Sequence, residues 1–274
     1  MSSEKSAPLV ARRLHCDACG LAGVCLPAAI GAEELAAVEP LIEQQGARPR
    51  GEHVYVAGTP FTGLYIVRSG AVRSYITQVD GSERTVGFHL PAEFLGLDGP
   101  GHAARETSAV NLETTSVCRI PYARLQSLAA RLPRLQVHLM RVMSREILDD
   151  RHLQLLLGRR PAAARIASFL LWLSRRNARR RLSALHFHLP MPRADIANYL
   201  GLVIETTSRV FTRLHRTGVI HLDRRDVRVL DMARLSDLAG EAGPEQAPAR
   251  EPAAPQATMM TLPDARTFPD GARR

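Results

Sequence analysis

The chain has 274 residues, 45% of them hydrophobic, and a formal net charge of +9. This length allows two modest domains, each with its own core. No apolar run approaches the roughly 18 residues of a membrane helix, and the N-terminus lacks an apolar signal-peptide core, so we expect a cytoplasmic protein without a membrane span.

The positive charge is concentrated in the C-terminal part of the chain. Residues 159–235 contain sixteen arginines and five acidic residues, so this segment carries +11 and the remainder about −2. Arginine makes bidentate contacts with phosphate and with guanine. We therefore expect a nucleic-acid-binding domain in this segment.

Three of the four cysteines lie in one short N-terminal run, at Cys16, Cys19 and Cys25, and 92 residues separate this run from Cys118. In a reducing compartment such a set indicates metal or redox chemistry rather than structural disulfides. A loop with three thiolates can surround a metal centre that the distant sulfur completes. Both iron and zinc are compatible with this pattern.

A β-rich region follows the cysteine run. Residues 32–45 predict a short amphipathic helix, and the segment from about 50 to 120 alternates short β-rich runs with glycines. This spacing of turn signals predicts a small antiparallel barrel or roll, with strands at 64–67, 71–76 and 114–120.

Residues 133–157 predict one long helix with a heptad seam, the spacing of a two-stranded coiled coil. The seam consists of Met140, Met143, Ile147, Asp150, Gln154 and Leu157. We expect it to mediate homodimerisation, although the stripe could instead pack within the chain with Asp150 in water. Two facing Asp150 side chains would repel each other, which would make the dimer weak and adjustable.

Residues 193–217 have the pattern of a helix-turn-helix. A helix predicted at 194–200 ends at Gly201, and a second helix begins near Ile204 and stops before Gly218. Upstream, a helix is predicted at 162–177 and a short strand at 185–189.

The second helix of this pair is amphipathic. We expect one face, consisting of Ile204, Thr207, Phe211 and Leu214, to pack on the first helix. The opposite face consists of Glu205, Ser208, Arg209 and Thr212. Arg209 suits guanine and Glu205 suits a cytosine amino group, whereas Arg213 is better placed for phosphate. An exposed charged face without a ligand is the alternative.

The domain boundaries follow from these patterns, with a break at Gly158–Pro161 and an Ala/Pro/Glu-rich end. They are a tail and cysteine loop at 1–27, a β-roll at 28–132, a dimerisation helix at 133–158, a winged helix-turn-helix at 159–237 and a disordered tail at 238–274. The fold class expected is α+β.

In these motifs the chain resembles the CRP/FNR family of bacterial transcription regulators, most closely its FNR branch, over nearly all of residues 14–235. The shared motifs are Leu64–Gly70, Arg73–Tyr75, Gly87–Leu90, Asn198–Leu202, Glu205–Arg209 and the cysteine spacing C-x2-C-x5-C. The resemblance implies a roll of the cyclic-nucleotide-binding, jelly-roll type.

The resemblance also implies a mechanism. Cys16, Cys19, Cys25 and Cys118 would hold a [4Fe–4S] cluster that promotes dimerisation and that oxygen degrades. Glu205, Ser208 and Arg209 would read a palindrome similar to TTGAT-N4-ATCAA in double-stranded DNA. RNA polymerase would be contacted through a loop near Val79–Glu83 and a patch near Arg180.

The chain departs from the family at Val203, where a Thr commonly caps the reading helix, and at Gly20 and Val24, which flank cysteines. A cyclic nucleotide is not expected, because Thr107 stands where the phosphate-binding Arg is needed. A zinc-based or thiol–disulfide regulator, with His15 as a possible zinc ligand, is the alternative reading. The histidines form no catalytic constellation, so we expect no enzyme activity.

Overall fold

The computed structural model describes residues 15–158 and 160–240. An N-terminal helical segment, a β-roll, a long helix and a small helical domain with a three-stranded sheet follow one another along the chain. The predicted α+β class is therefore confirmed. The disorder predicted for the tail concerns residues that lie almost wholly outside the described part.

The N-terminal segment contains α1 (Leu26–Ala29), α2 (Ala32–Val38) and a 3-10 turn at Glu39–Leu41. The helix predicted at 32–45 is too long, because the α-helix ends at Val38 and a strand begins at residue 43. Pro40 has no amide hydrogen to donate, so the α-helical ladder cannot continue through it.

The roll consists of two four-stranded antiparallel sheets, ordered β1-β8-β3-β6 and β2-β7-β4-β5. The strands are β1 (Glu43–Gln44), β2 (His53–Tyr55), β3 (Gly63–Ser69), β4 (Val72–Thr77), β5 (Glu83–His89), β6 (Phe94–Leu95), β7 (Ser108–Asn111) and β8 (Ser116–Pro121). The runs predicted at 64–67, 71–76 and 114–120 fall on β3, β4 and β8. Gly70 turns the chain between β3 and β4 at φ +80°, where an added Cβ would lie 2.6 Å from the Thr114 carbonyl oxygen.

Strand β3 is buried on both faces. Leu64 and Ile66 pack against the N-terminal helices, whereas Tyr65 and Val67 fill the interior of the roll. Since successive side chains of a strand point to opposite faces, an unbroken apolar run is the pattern of such a strand.

Helices α3 (Tyr122–Ala129) and α4 (Pro133–Leu157) follow the roll. Pro133 begins α4, where a missing amide hydrogen costs nothing, and Gly158 ends it. The bounds predicted for this helix, 133–157, agree with the structure. No helix of the described part has both the length and the apolar character needed to cross a bilayer.

The C-terminal domain is a winged helix-turn-helix. It consists of α5 (Ala162–Arg179), β9 (His186–His188), α6 (Arg193–Leu200), α7 (Ile204–Arg216), β10 (Ile220–Asp223), β11 (Asp226–Val229) and α8 (Met232–Ala239). Gly201 ends α6 in the left-handed region at φ +61°. Helix α8 continues past residue 237, the predicted end of this domain.

The core of the C-terminal domain extends into the roll. Phe88 and Leu90 of the roll belong to the same buried cluster as Phe169, Leu170 and Tyr199. The roll and the helix-turn-helix are therefore in direct apolar contact within one chain.

Candidate cysteine site and nucleic-acid interface

The structure brings the four cysteines to one place. Cys16 and Cys19 lie in the N-terminal loop, Cys25 is the residue before α1, and Cys118 lies in β8. All four line one cavity between the loop and the outer face of the roll, and none forms a disulfide. Its remaining wall is mainly apolar, with Leu26, Ile42 and Ile66 among its members.

Local hydrogen bonds shape the cysteine loop. The amide of Ala22 donates to the Cys19 carbonyl oxygen at 2.8 Å, and the amide of Cys25 donates to the Leu21 carbonyl oxygen at 2.9 Å. Glu39 accepts a hydrogen bond from the amide of Cys16, which attaches the beginning of the loop to the end of the helical segment. These successive turns let three cysteines close together in sequence share one cavity.

The electrostatics of the site oppose four free thiolates. Burial raises the pKa of Cys25 to about 12, and the neighbouring thiols Cys118, Cys16 and Cys19 act in the same direction. Burial, followed by the charge of Glu39, raises the pKa of Cys16 to about 11. Burial also raises the pKa of Cys118. Four ionised sulfurs at this place therefore require a cationic partner, and binding one would release protons.

The sulfur spacing is wide for a single metal ion. Within the described ranges, no three of the four cysteines have Sγ atoms all within 4.8 Å of one another. A tetrahedral zinc ion with Zn–S bonds of about 2.3 Å would need sulfurs about 3.8 Å apart. The ligand atoms that do lie this close belong to His15, Asp17 and Glu39, a mostly exposed set in which His15 bonds Glu39 at 3.1 Å.

The predicted DNA-reading residues lie on the exposed face of α7. This set is Glu205, Ser208, Arg209, Thr212 and Arg213, all of them exposed. On the opposite face Thr207, Phe211 and Leu214 are buried, as expected. The prediction that Ile204 packs on the first helix is wrong, because its side chain is 44% exposed. Ile204 is the first residue of α7, where the turn from α6 leaves the side chain uncovered.

The N-terminus of α7 has no side-chain cap. Val203 occupies the N-cap position with extended backbone, and its side chain is 63% exposed. A hydroxyl or carboxylate at this position would accept a hydrogen bond from the first turn, so valine costs about 1 kcal/mol. Glu205 in that turn still interacts favourably with the helix dipole.

The predicted dimer seam is largely uncovered in the single chain. The side chains of Met140 and Ile147 are 57% and 51% exposed, and Asp150 and Gln154 are exposed as well. Intramolecular packing of the stripe would have buried these residues. The seam also borders a cavity of 480 Å³ between α4 and the roll, to which Met143, Ile147, Asp150, Gln154 and Leu157 contribute.

Two of the residues relevant to a cyclic nucleotide, Asp98 and Thr107, line the same cavity, and Arg105 lies nearby in the roll. Thr107 donates from Oγ1 to Asp98 at 2.9 Å, so these two side chains satisfy each other. Arg105 stacks on the Tyr55 ring at 4.0 Å and donates to the Gly63 carbonyl oxygen at 2.7 Å. This arginine is therefore held within the roll by groups other than a phosphate.

Sequence reasoning missed the residues that join the two domains. Arg176 is buried and forms an ion pair with Glu93 of the roll, and its Nη2 donates to the Phe88 carbonyl oxygen at 2.8 Å. Asn198 bonds the backbone of β5. Asn198 is the first residue of the family motif Asn198–Leu202, but no sequence signal identifies its partner strand more than a hundred positions away.

Two family profiles match the chain. A Crp-like helix-turn-helix domain matches residues 164–238, and a cyclic nucleotide-binding domain matches residues 47–131. The transcriptional activator protein FnrA of Stutzerimonas stutzeri is 44% identical over 231 residues, which cover 84% of this chain and 95% of that protein. The chain belongs to the CRP/FNR family of transcription regulators.

Other members of the CRP/FNR family agree with this assignment. The anaerobic regulatory protein of Pasteurella multocida is 36% identical, with 83% of each chain covered. The solved structure of FixK2 from Bradyrhizobium japonicum has a TM-score of 0.66 and 31% identity, and the match covers 73% of this chain and 98% of that one. The predicted likeness to the FNR branch is confirmed. As a CRP/FNR regulator the chain is not an enzyme, which confirms that prediction too.

Proposed function

We propose that the chain is an oxygen-responsive regulator that binds double-stranded DNA as a homodimer and holds a [4Fe–4S] cluster with Cys16, Cys19, Cys25 and Cys118. The observation that carries this proposal is the convergence of these four free thiols on one cavity. The name of the Pasteurella multocida relative, an anaerobic regulatory protein, supports the proposed response to oxygen.

The cysteines would act by fixing the N-terminal loop. A bound cluster supplies the positive charge that four thiolates need, and it makes this attachment sensitive to oxygen. Cys118 attaches the loop to β8. Cys25 and Leu26 belong to a core that also includes Leu135 and Leu139 of α4. Ordering the loop therefore stabilises the packing of α4, and α4 carries the exposed seam.

The dimer would present two α7 helices to a palindrome similar to TTGAT-N4-ATCAA. Glu205, Ser208 and Arg209 would read base edges in the major groove, and Arg213 would bind phosphate. The hairpin before β5, where Val79 is fully exposed, offers a surface for RNA polymerase. Arg180 is half-buried beside Asn177, so the second polymerase surface would use the rim around it.

The ligand set is tested by Cys118→Ser. We expect the variant, purified without oxygen, to lose most of its iron while keeping its far-ultraviolet circular dichroism, because serine leaves the strand intact and removes the fourth thiolate.

The matched control is Asp17→Asn, which changes the loop between two cysteines without removing a thiol and should keep the iron. A full iron load in Cys118→Ser would remove Cys118 from the ligand set. Stoichiometric zinc in both proteins would favour the zinc-based alternative.

A further inference from the structure

Asn198 bonds helix α6 to the edge of the roll with both ends of its side-chain amide, beside a longer contact from Arg84 to the Tyr199 carbonyl oxygen at 3.5 Å and an ion pair of Arg73 with Asp195 at 3.9 Å. The Nδ2 group of Asn198 donates to the Glu83 carbonyl oxygen at 2.8 Å, and its Oδ1 accepts from the amide of Thr85 at 2.6 Å. Strand β5 is the last strand of its sheet, so its outer backbone groups need partners. A side-chain amide offers one donor and one acceptor side by side, and Asn198 uses them as a further strand would.

The turn after α6 is fastened to the end of α4. Arg165 of α5 donates to the carbonyl oxygens of Leu200 at 2.9 Å, Gly158 at 3.0 Å and Arg160 at 3.0 Å. Gly158 and Arg160 lie in the connection between the dimerisation helix and the C-terminal domain. A hinge motion there would have to break these bonds.

Buried contacts reinforce the same orientation. The ring centroid of Phe88 lies 5.0 Å from that of Tyr199 and 6.2 Å from that of Phe169. The buried Arg176 pairs with Glu93 across the interface, and removing one partner of a buried ion pair is strongly unfavourable. Apolar, ionic and backbone contacts thus all join the helix-turn-helix to the roll of its own chain.

We propose that Asn198 is a positioning residue for DNA reading, which fixes the reading helix relative to the roll without touching DNA. Two such rigid protomers in a dimer would hold their α7 helices at one separation, and this separation selects the distance between half-sites. The proposal rests on the proposed function in taking a palindrome as the target. A merely structural role would lower stability without changing which spacer is preferred.

The test compares full-length wild type and Asn198→Ala, both purified without oxygen. Binding is measured on the palindrome with its proposed spacer, with one base pair removed and with one base pair added. We expect the affinity for the proposed spacer to fall by up to about tenfold in the variant. The differences in affinity among the three spacers should become smaller, so the variant is less selective than wild type. Asn198→Asp keeps the acceptor for Thr85 and should be intermediate. The control Thr217→Val loses only hydroxyl bonds to the Arg213 and Leu214 carbonyl oxygens in the preceding turn of α7, and it should keep the wild-type preference.

Hydrogen exchange provides a measurement that does not require DNA. We expect the amides of residues 83–89 to exchange faster in Asn198→Ala than in wild type, with the centre of α7 unchanged. The proposal is overturned if Asn198→Ala keeps the wild-type preference among spacers. It is also overturned if the exchange rates of the amides of residues 83–89 are unchanged. If wild type binds none of the three DNAs, the proposed function fails, and the exchange measurement alone then decides whether Asn198 fixes α6 to the roll.

Discussion

At the scale of single residues, Arg209 and Arg213 lie one turn apart on α7, and both are exposed. Arg209 continues the row that includes Glu205, so in the proposed complex it would face base edges, whereas Arg213 would lie nearer the DNA backbone. We expect Arg209→Ala to weaken binding by about 1–3 kcal/mol and to relax the preference for guanine. Fluorescence anisotropy on the palindrome and on a guanine-substituted version measures both effects.

The matched variant is Arg213→Ala. It should weaken binding to both DNAs equally. The slope of the logarithm of the binding constant against the logarithm of the salt concentration should become smaller in magnitude by about one. Equal loss of guanine preference in the two variants would contradict the assignment of roles on this helix.

Glu146 on α4 predicts a pH dependence of stability. Burial, then the charge of Asp150, raises its pKa to about 7 from an ordinary value of 4.5, with Asp149 and Glu93 acting in the same direction and Arg176 opposing them. The folded chain therefore binds this proton more tightly than the unfolded chain. The resulting penalty is absent below about pH 4.5, grows as the pH rises toward 7 and is complete above it.

We expect Glu146→Gln to raise the free energy of unfolding at pH 8 by as much as about 3 kcal/mol, and to have little effect near pH 4.5. Urea unfolding of the cluster-free chain at both pH values measures this difference. The exposed Glu33→Gln is the control and should change neither value. A constant difference across the range would contradict the assignment, because it would show a packing effect instead of a titration.

Several of these residues could not be predicted from the sequence. The polar face of α7 follows from a local 3.6-residue period, and four of its five reading residues follow from that face. Ile204 fits the apolar row equally well, but its exposure depends on where the neighbouring helix ends. The roles of Glu93, Arg176 and Asn198 depend on partners in the other domain, and no local pattern contains that information.

At the scale of elements, helix α4 has two surfaces with different tasks. Its N-terminal half packs on the cysteine loop through Leu135 and Leu139, and its seam remains exposed along Met140 and Ile147. The heptad period predicted the bounds of this helix because periodicity is a local property. The early end of α2 was not predicted. The amphipathic pattern of residues 32–45 continues across Pro40, whereas the helical hydrogen bonds do not continue there because proline has no amide hydrogen.

Asp150 should weaken the association of two α4 helices. Partial desolvation and then the neighbouring Asp149 raise the pKa of the exposed Asp150, which means that its charge is unfavourable already in the single chain. We expect Asp150→Ala to strengthen dimerisation by about tenfold, since two like charges at close approach repel by about 1 kcal/mol or more. It should also permit DNA binding in air.

Sedimentation velocity over a range of protein concentrations measures this association. Asp149→Ala removes the same charge from a neighbouring position outside the seam and should leave the dissociation constant nearly unchanged. If Asp150→Ala remains monomeric without the cluster, the seam is not limited by this charge.

At the scale of the whole molecule, the shared core predicts cooperative unfolding. Phe88 is buried in the roll and touches Phe169 and Tyr199 of the C-terminal domain. We expect a single transition in wild type, seen together by circular dichroism and by the fluorescence of Trp172, the one tryptophan of the chain. Phe88→Ala should cost about 3–5 kcal/mol and separate the two signals.

Phe94→Ala is the control for this variant. Phe94 is buried in a core made by the roll, α3, α4 and the N-terminal segment, so its loss should lower the midpoint while the two signals still coincide. Separate transitions in wild type would contradict a common core.

The architecture was largely predictable from the sequence, because turn signals, helix periods and the charge asymmetry each act over short segments. The cysteine pattern suggested that Cys118 could complete a site with the N-terminal cysteines, and the resemblance implied that all four hold one cluster, although β8 and the loop are distant along the chain. The raised thiol pKa values of Cys16, Cys25 and Cys118 were accessible only from the three-dimensional arrangement.

The central claim is that the four cysteines hold an oxygen-sensitive iron–sulfur cluster. It is tested most directly by measuring iron, acid-labile sulfide and the visible absorption spectrum of protein purified without oxygen and then exposed to air. We expect about four iron and four sulfide per chain and a visible absorption band that bleaches in air. Stoichiometric zinc, or protein without metal that still binds the palindrome, would contradict the claim and assign sensing to zinc or to the thiols themselves.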